Sequence, residues 1–334
     1  MKILYTLISL FMSMPIMAQS IMDVHSHIVT NDYMQMLKKH GAEMEDGYPL
    51  PTWSVEKHLE FMEEAGIEMS VLTMPSPQPF FGDVEESSRC IRSINEESAR
   101  VKAAYPDKFL FCASLPLPDV KAAIREAVYA LDTLKADGIK LATNSRGQYL
   151  GDPALDPLMA LLNERKAVVI LHPCAPAQRP ENEFTGGPIF VYEYPAETTR
   201  AVLNMIENNI MARYPNIKFV VPHTGSFLPT AMPRFRGALP LLVSKGLARK
   251  VDVDKNLANL YYDIAGGPSI ETLKMLLTIT TPDHVMYGSD FGFVPNAALT
   301  AILGKVKTYL KEDKELSPYA DDILGNNAKK LFDK

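Results

Sequence analysis

Two histidines near the start of the chain have a spacing that suits metal binding. The stretch MDVHSHIV, at residues 22–29, places His25 and His27 two positions apart. Side chains alternate along a β-strand, so both imidazoles of a predicted strand point to the same side and can bind one ion. Because the same spacing also occurs without a metal, the pair predicts a site only if the chain supplies further ligands.

Further candidate ligands follow later apolar runs of the chain. His172 and His223 come directly after two of these runs, and Asp290 lies in YGSDFGF after the last one. Taken singly, His172 is typical of a hydrogen-bonded core histidine and Asp290 of a helix N-cap. If the runs are strands of one barrel, His25, His27, His172 and Asp290 form a nitrogen and oxygen ligand set. Such a set suits Zn²⁺, with Mn²⁺ or Fe²⁺ as alternatives.

Eight short runs rich in β-branched and apolar residues predict the strands. Most are continuous rather than alternating, as expected for parallel strands buried on both faces. Segments with helical apolar spacing lie between them, so that strand and helix alternate along the chain. This pattern predicts an α/β fold, the (β/α)8 TIM barrel, in which the active site lies at the carboxyl ends of the strands. The runs lie at residues 21–25, 69–74, 109–115, 138–142, 167–171, 218–222, 260–265 and 284–288.

Two predicted connections, residues 28–53 and 174–199, are unusually long. The second is rich in proline and glycine and carries Arg179, Phe190 and Tyr192. Connections that follow strands lie on the catalytic face of such a barrel. We therefore expect the second connection to form a lid or a substrate wall.

Composition and charge limit the classes of partner. The formal net charge is −6, and the charged residues are interspersed without a block of lysine and arginine. This pattern argues against nucleic acid or an anionic membrane surface as a partner. The three cysteines, Cys90, Cys112 and Cys174, are an odd number without a C-x-x-C pair. The chain is therefore not a disulfide scaffold, and its 47% hydrophobic content is enough for a sizeable core.

Residues 1–18 have the layout of a secretory signal peptide. Lys2 precedes a short apolar run, which Pro15 and Ala18 follow. The run is shorter than the roughly 20 residues that span a bilayer, and a buried first helix is the alternative interpretation. We expect cleavage after Ala18, export to the periplasm or beyond, no membrane attachment afterwards, and a single barrel domain over residues 19–334.

The motifs at the strand ends resemble those of a known enzyme family. D-x-H-x-H in the first strand, H-P after the fifth, H-x-G after the sixth and G-S-D after the eighth are similar to the amidohydrolase superfamily. The resemblance is to the amidohydrolase-related branch around aminocarboxymuconate semialdehyde decarboxylase and γ-resorcylate decarboxylase. RYPNIKFVVPHTGSFLP, which contains His223, and GNNAKKLF near the C-terminus are also similar to that branch. The resemblance therefore extends over the whole mature chain.

The resemblance implies a mononuclear metal site and a separate acid–base histidine. His223 would act as general acid or base beside the metal, and Asp290 would also take part in catalysis. In two-metal members of the superfamily a lysine at the end of the fourth strand bridges the ions. Lys140 lies two or three residues before that strand end, so we favour one metal. The ligands would be His25, His27, His172 and Asp290.

The resemblance also implies a substrate-binding arginine. Arg234, eleven residues after His223, matches an arginine that grips the substrate carboxylate in decarboxylase members, often across a homodimer interface. A surface or helix-capping arginine is the alternative. The chain departs from the family after the first strand, where Lys38, Lys39 and His40 fall in a predicted amphipathic helix and do not align with basic substrate contacts.

Two reactions fit such a site. The resemblance and Arg234 favour decarboxylation of a small aromatic or unsaturated carboxylate. Metal-dependent hydrolysis of a small amide or lactone, with Asp290 delivering a proton to the leaving group, is the alternative, and the predicted export favours it. A secreted ligand-binding barrel without turnover is a third interpretation. His223 argues against it, because a binding protein needs no acid–base residue beside a metal.

Overall fold

The computed structural model describes residues 20–178 and 187–333, so the signal peptide predicted at residues 1–18 lies outside the described residues. In the described residues, eight strands pair in parallel, and two short strands form an antiparallel hairpin after the fourth. In chain order the strands are β1 (Ile21–His27), β2 (Ile67–Thr73), β3 (Phe109–Ser114), β4 (Gly138–Ala142), β5 (Asn144–Ser145), β6 (Gln148–Tyr149), β7 (Val168–His172), β8 (Lys218–Val221), β9 (Leu260–Asp263) and β10 (Val285–Met286).

Strand pairing runs round a complete circle in the order β1, β2, β3, β4, β7, β8, β9, β10. Backbone hydrogen bonds between the first strand and the last close it. The N–H of Val24 donates to the carbonyl of Tyr287 at 3.0 Å, and the N–H of Asp290 donates to the carbonyl of His25 at 2.8 Å. The (β/α)8 TIM barrel predicted from the sequence is therefore confirmed.

Helices cover the outside of the barrel. Ser54 caps the second helix by accepting from the N–H of Lys57, and Gly66 ends that helix with a φ of 69°. Among the described helices, none combines the length and the apolar character that crossing a bilayer requires. The helices are α1 (Asn31–Lys39), α2 (Val55–Ala65), α3 (Val84–Ala104), α4 (Val120–Asp132), α5 (Asp156–Glu164), α6 (Glu193–Glu207), α7 (Ile210–Arg213), α8 (Leu228–Ser244), α9 (Val253–Leu257), α10 (Ile270–Leu276), α11 (Asn296–Glu312) and α12 (Asn327–Phe332).

The apolar core lies on both sides of the barrel wall. Val71, Val168 and Ile170 belong to a buried cluster inside the barrel. A larger cluster, which includes Phe61 and Met205 from two of the helices, fills the space between the strands and the helical layer. Strands with apolar neighbours on both faces have the continuous apolar sequences seen here.

The two long connections contact each other beyond the strand ends. The N–H of Ile189, in the second connection, donates to the carbonyl of Asp46 in the first at 3.2 Å. Gly47 has a φ of 73°, and a Cβ at this position would lie 3.2 Å from the Cα of Pro188. Arg179, which the sequence analysis singled out in the second connection, lies outside the described residues. The described part of the predicted lid is therefore joined to the loop that follows α1.

Candidate active site

Four imidazoles and one carboxylate meet at the carboxyl ends of the strands. Between ring centroids, His25 lies 5.1 Å from His27, 5.4 Å from His172 and 5.0 Å from His223. The carboxylate of Asp290 lies 3.0 Å from Nε2 of His27 and 3.8 Å from Nε2 of His223. The structure thus brings together the five side chains that the sequence predicted at the metal and acid–base positions.

An extra residue in β1 turns both of its histidines toward this centre. The register against β2 shifts between Asp23 and Ser26, where three steps along β1 face two steps along β2. Met22 belongs to the apolar cluster inside the barrel. Strict alternation would place His25, three positions later, on the outer face. A β-bulge re-aims side chains in this way, and here it directs His25 and His27 into the site.

The carboxylate of Asp23 satisfies the backbone around the bulge. Its Oδ1 accepts from the N–H of His25 at 3.0 Å and from that of Ser289 at 2.9 Å. Its Oδ2 accepts from the hydroxyls of Ser70 and Ser289 at 3.2 and 2.6 Å. Burial raises the pKa of Asp23 to about 6, although the bonds from Ser289 and His25 oppose the change. Asp23 therefore fixes β1 against the segment that carries Asp290.

A second buried carboxylate, Asp263 at the end of β9, orients His25. Nδ1 of His25 donates to Oδ2 of Asp263 at 2.9 Å. Burial alone would lower the pKa of His25, but the Asp263 carboxylate raises it to about 9, so Nδ1 retains its proton. Oδ1 of Asp263 accepts from the backbone N–H groups of His223 and Ala265, both at 3.0 Å. The sequence analysis did not single out Asp263, although a carboxylate in the predicted strand LYYDIA was the available signal.

The cluster has the donor atoms that metal binding needs, and a bound ion would replace the proton on Nε2 of His25. Nε2 of His25 has no hydrogen-bond partner among the described residues. Burial lowers the pKa of His27 and, with the neighbouring imidazoles, holds that of His172 well below its ordinary value, so both rings are neutral. The donor atoms of His25, His27 and His172 lie within 4.8 Å of one another, as do those of His25, His223 and Asp290. This set fits a divalent metal ion.

The backbone is strained where His223 and Asp290 lie. His223, Thr224, Ser226 and Asp290 have φ values of 55° to 60°, a left-handed region that residues other than glycine rarely adopt. Each such residue costs roughly 1–3 kcal/mol, and such strain is concentrated at functional sites. Burial disfavours a charged carboxylate, but hydrogen bonds from His223 and His27 hold the pKa of Asp290 well below its usual range. Asp290 is therefore an anion at neutral pH.

A cavity of about 490 Å³ opens beside the cluster, and His172, His223 and Asp290 line part of it. Its volume is in the range of pockets for small organic molecules. The ring of Phe293 lies 5.5 Å from that of His27 between centroids. Most of the remaining described wall is apolar or aromatic, with Tyr48, Leu50, Phe190, Pro195, Pro229, Met275, Phe293 and Val294. The cavity therefore suits a small ring compound.

Other residues that the sequence singled out do not line this cavity. Arg234 is exposed on α8. Lys140 is buried in β4 without a hydrogen-bond partner for Nζ among the described residues, and burial lowers its pKa to about 8. The predicted helix after the first strand is present as α1. At its end, Lys39 and His40 pair with Glu86 on the surface. Within one chain, these side chains are separate from the described cavity wall.

Replacing Asp263 with asparagine tests its support of His25. Asp263→Asn keeps the shape but removes the charge, so we expect a folded protein with roughly 10–100-fold weaker affinity for Zn²⁺ or Mn²⁺. Competition with a chelator of known affinity measures this change, and circular dichroism checks the fold. Asp283→Asn, which alters a carboxylate with 69% side-chain exposure, is the matched control. Equal metal affinity in the two variants would contradict the role of Asp263.

Sequence comparisons identify relatives over most of the chain. A family model described as amidohydrolase matches residues 22–334. The 6-methylsalicylic acid decarboxylase of Penicillium expansum is 34% identical over 287 residues, which cover 84% of this chain and 86% of that protein. The 2-amino-3-carboxymuconate-6-semialdehyde decarboxylase of Dictyostelium discoideum is 23% identical over 330 residues, which cover 92% of this chain and 89% of that protein. These relatives confirm the resemblance found in the sequence motifs.

Solved structures share the fold along nearly the whole chain. A crystal structure of an amidohydrolase II has a TM-score of 0.86 and 32% identity, covering 94% of this chain and 99% of that one. The 5-carboxyvanillate decarboxylase of Novosphingobium aromaticivorans, solved with manganese and 4-hydroxy-3-methoxy-5-nitrobenzoic acid, has a TM-score of 0.82 and 18% identity, covering 94% and 96%. The second likeness concerns the fold alone. With the family model matching from residue 22 to residue 334, the chain belongs to the amidohydrolase family.

Proposed function

We propose that the protein catalyses the metal-dependent decarboxylation of a small aromatic carboxylate. The observation that carries this proposal is the buried histidine and aspartate cluster, which opens into a cavity with mostly apolar and aromatic walls. Such a cavity suits a planar ring whose charged end lies at the cluster. The name of the Penicillium relative, 34% identical over 84% of this chain, supports decarboxylation over hydrolysis.

One divalent ion would complete the site. His25, His27, His172 and Asp290 would hold it, because three imidazole nitrogens and a carboxylate oxygen are a common ligand set for such ions. We propose Zn²⁺, with Mn²⁺ or Fe²⁺ as alternatives, and the manganese in the solved 5-carboxyvanillate decarboxylase supports Mn²⁺. When bound, the ion polarises an oxygen of the substrate.

His223 and Asp290 are the residues proposed to move the proton. His223 lines the cavity, and its backbone N–H is held by Asp263. In the proposed reaction, protonated His223 gives its proton to the ring carbon that carries the carboxylate. The bond between that carbon and the carboxylate carbon then breaks, and CO₂ leaves. The electron pair of the broken bond returns to the ring. A phenolic oxygen beside the carboxylate supplies the electron density for protonation, and the Asp290 anion stabilises the imidazolium before transfer.

A substrate panel tests the reaction. We expect CO₂ release from at least one hydroxybenzoate in a panel that also contains muconate semialdehydes, a lactone and an amide. Activity should disappear with a chelator and return with Zn²⁺ or Mn²⁺, and elemental analysis should find about one ion per chain. Hydrolysis of the lactone or amide without CO₂ release would favour the hydrolase alternative, whereas an active metal-free protein would refute the metal requirement.

Removing the imidazole of His223 tests its acid–base role. His223→Ala should lower turnover by roughly 100-fold or more while retaining the metal, because general acid–base catalysis contributes factors of that size. His40→Ala removes an imidazole that pairs with Glu86 on the surface and should change neither property. Stopped assays of CO₂ release and elemental analysis provide the two readouts. Unchanged turnover in His223→Ala would exclude it as the proton donor.

We also propose that the protein is a homodimer in which the partner's Arg234 contacts the substrate carboxylate. Arg234 is exposed on α8 and has no hydrogen bond or ion pair with another described residue. Leu241 and Leu242 on the same helix are 62% and 37% exposed, which supports an apolar contact between subunits there. A dimer would bring a cation to a cavity whose described wall contains no arginine or lysine.

The proposed role of Arg234 is tested by two measurements, the KM for the substrate and the mass of the assembled protein. Arg234→Ala should raise KM by roughly tenfold or more, the usual effect of losing a hydrogen bond to a charged group. Arg236→Ala alters an arginine on the same helix that pairs with Asp254 at 2.6 Å and should leave KM unchanged. Light scattering should give the mass of two chains. A fully active monomer would refute the proposed dimer.

A further inference from the structure

We propose, resting on the decarboxylase function above, that an aromatic subsite in the outer part of the cavity receives an alkyl substituent of the substrate ring. The side chains of Tyr48, Phe190 and Phe293 form this subsite, and all three line the cavity that opens at the histidine and aspartate cluster. With the carboxylate bound at the cluster, a substituent para to it points away from the cluster. The subsite would therefore select acids with an alkyl group at this position over acids with a polar group there.

The three rings form a row that begins beside a proposed metal ligand. The ring of Phe293, in the segment after β10, lies 5.5 Å from that of His27 between centroids. The ring of Tyr48, in the connection after β1, lies 6.4 Å from that of Phe293 and 5.8 Å from that of Phe190. The planes of Tyr48 and Phe190 meet at 90°, an edge-to-face arrangement that aromatic pairs favour. The row thus extends from the cluster to the exposed end of the cavity.

Backbone contacts hold Tyr48 and Phe190 in place. The N–H of Ile189, in the connection after β7, donates to the carbonyl of Asp46 at 3.2 Å. The side chain of Ile189 is buried, whereas that of the next residue, Phe190, is exposed. Because this bond lies one residue from Phe190 and two from Tyr48, both rings are positioned without a ligand. A subsite that exists before binding avoids the entropic cost of being ordered by the ligand.

Tyr48 and Phe190 have apolar surface that an occupant of the cavity can cover. Their exposed fractions are 42% and 49%, which are high for aromatic side chains. Covering such surface is favourable in proportion to the apolar area removed from water. The covering group is the occupant of the cavity, since both rings line the cavity into which the cluster opens.

The cavity leaves room for a substituent on the substrate ring. Its volume of about 490 Å³ is in the range of pockets for drug-sized ligands, whereas a hydroxybenzoate is a single small ring. A hydroxybenzoate bound at the cluster therefore does not fill the cavity. Leu50 and Val294 add further apolar side chains to the wall. The space beyond the substrate ring is thus suited to an apolar group.

Polar groups of the described wall lie beside a different histidine. Oγ of Ser76 lies 3.3 Å from Nδ1 of His172, and the ring of Tyr194 lies 6.1 Å from that of His172 between centroids. The hydroxyl of Tyr194 donates to Oδ2 of Asp46 at 2.8 Å. The aromatic subsite instead begins at His27. A hydroxyl group placed among its rings would exchange water for mainly apolar contacts, which is unfavourable.

Four ligands test the subsite, namely salicylates with a methyl, ethyl, propyl or hydroxyl group at position 4, para to the carboxylate. Titration calorimetry with the Mn²⁺-loaded protein gives a dissociation constant for each. Every protein in the series carries His223→Ala, which removes the proposed proton donor, so that the ligands are not consumed. Burial of one methylene group corresponds to a gain in affinity of roughly three- to fourfold.

We expect the propyl compound to bind roughly tenfold more tightly than the methyl compound, and the methyl compound roughly fivefold more tightly than the hydroxyl compound. Phe190→Ala should reduce the propyl-to-methyl ratio to roughly threefold or less. Phe190→Leu, which keeps an apolar side chain, should retain most of the ratio. Tyr192→Ala removes an aromatic side chain of similar exposure, 54%, from outside the described cavity wall and should leave the ratio unchanged.

The outcomes separate this inference from the proposed reaction. A propyl-to-methyl ratio near unity, the same ratio in Phe190→Ala, tighter binding of the hydroxyl compound, or a failure of all four acids to bind would overturn the subsite. If the protein with His223 intact releases CO₂ from a hydroxybenzoate and the ratio is near unity, the subsite fails while the reaction stands. If the ratio responds to Phe190→Ala as expected and no aromatic acid releases CO₂, the subsite stands and the decarboxylase proposal fails.

Discussion

The arrangement of the site depends on one extra residue in the first strand. The bulge between Asp23 and Ser26 reverses which side chains of β1 face the centre of the barrel. The first half of the strand contributes Met22 to the apolar interior, and the second half contributes two imidazoles to the cluster. One strand can therefore complete the core at one end and supply ligands at the other. The remaining members of the cluster lie at the carboxyl ends of later strands or shortly after them.

Two buried carboxylates support this geometry in different ways. Asp23 accepts from the backbone of His25 and of Ser289, and so joins the first strand to the segment after the last. Asp263 accepts from the ring of His25 and from the backbone of His223. Because both oxygens of each carboxylate are hydrogen-bonded, these groups can be buried close to the cluster without being left unsatisfied. They define the position of the imidazoles before any ion or substrate is present.

The fold and the members of the cluster could be predicted because their signals are local. Continuous apolar runs mark strands buried on both faces, and a histidine directly after such a run, such as His172 or His223, lies on the catalytic face. The bulge in β1 has no such signal, since it is defined only by the register against β2. Asp263 lay within a predicted strand, but its role depends on which residue of another strand lies beside it.

Two further features show where local patterns fail. Pro233 and Pro240 lie inside α8, although proline usually interrupts a helix, so the sequence did not reveal the helix that presents Arg234. Asp46 belongs to an irregular connection, and contacts with Ile189 and Tyr194 from a distant part of the chain position it in the cavity wall. Long-range contact, which sequence periodicity does not encode, decides the position of Asp46.

In the segment after β8, whose residues have positive φ values, the stability of the fold and the proposed catalysis make opposite demands. His223, Thr224, Gly225 and Ser226 are consecutive, and all four have positive φ values. Glycine would adopt this conformation without strain, so the chain forgoes stability there by keeping larger side chains. Efforts to raise the melting temperature by relaxing this backbone would act on the segment that positions His223, the proposed acid–base residue. Stabilising substitutions are better placed in the outer helices, where they do not change the backbone at the carboxyl ends of the strands.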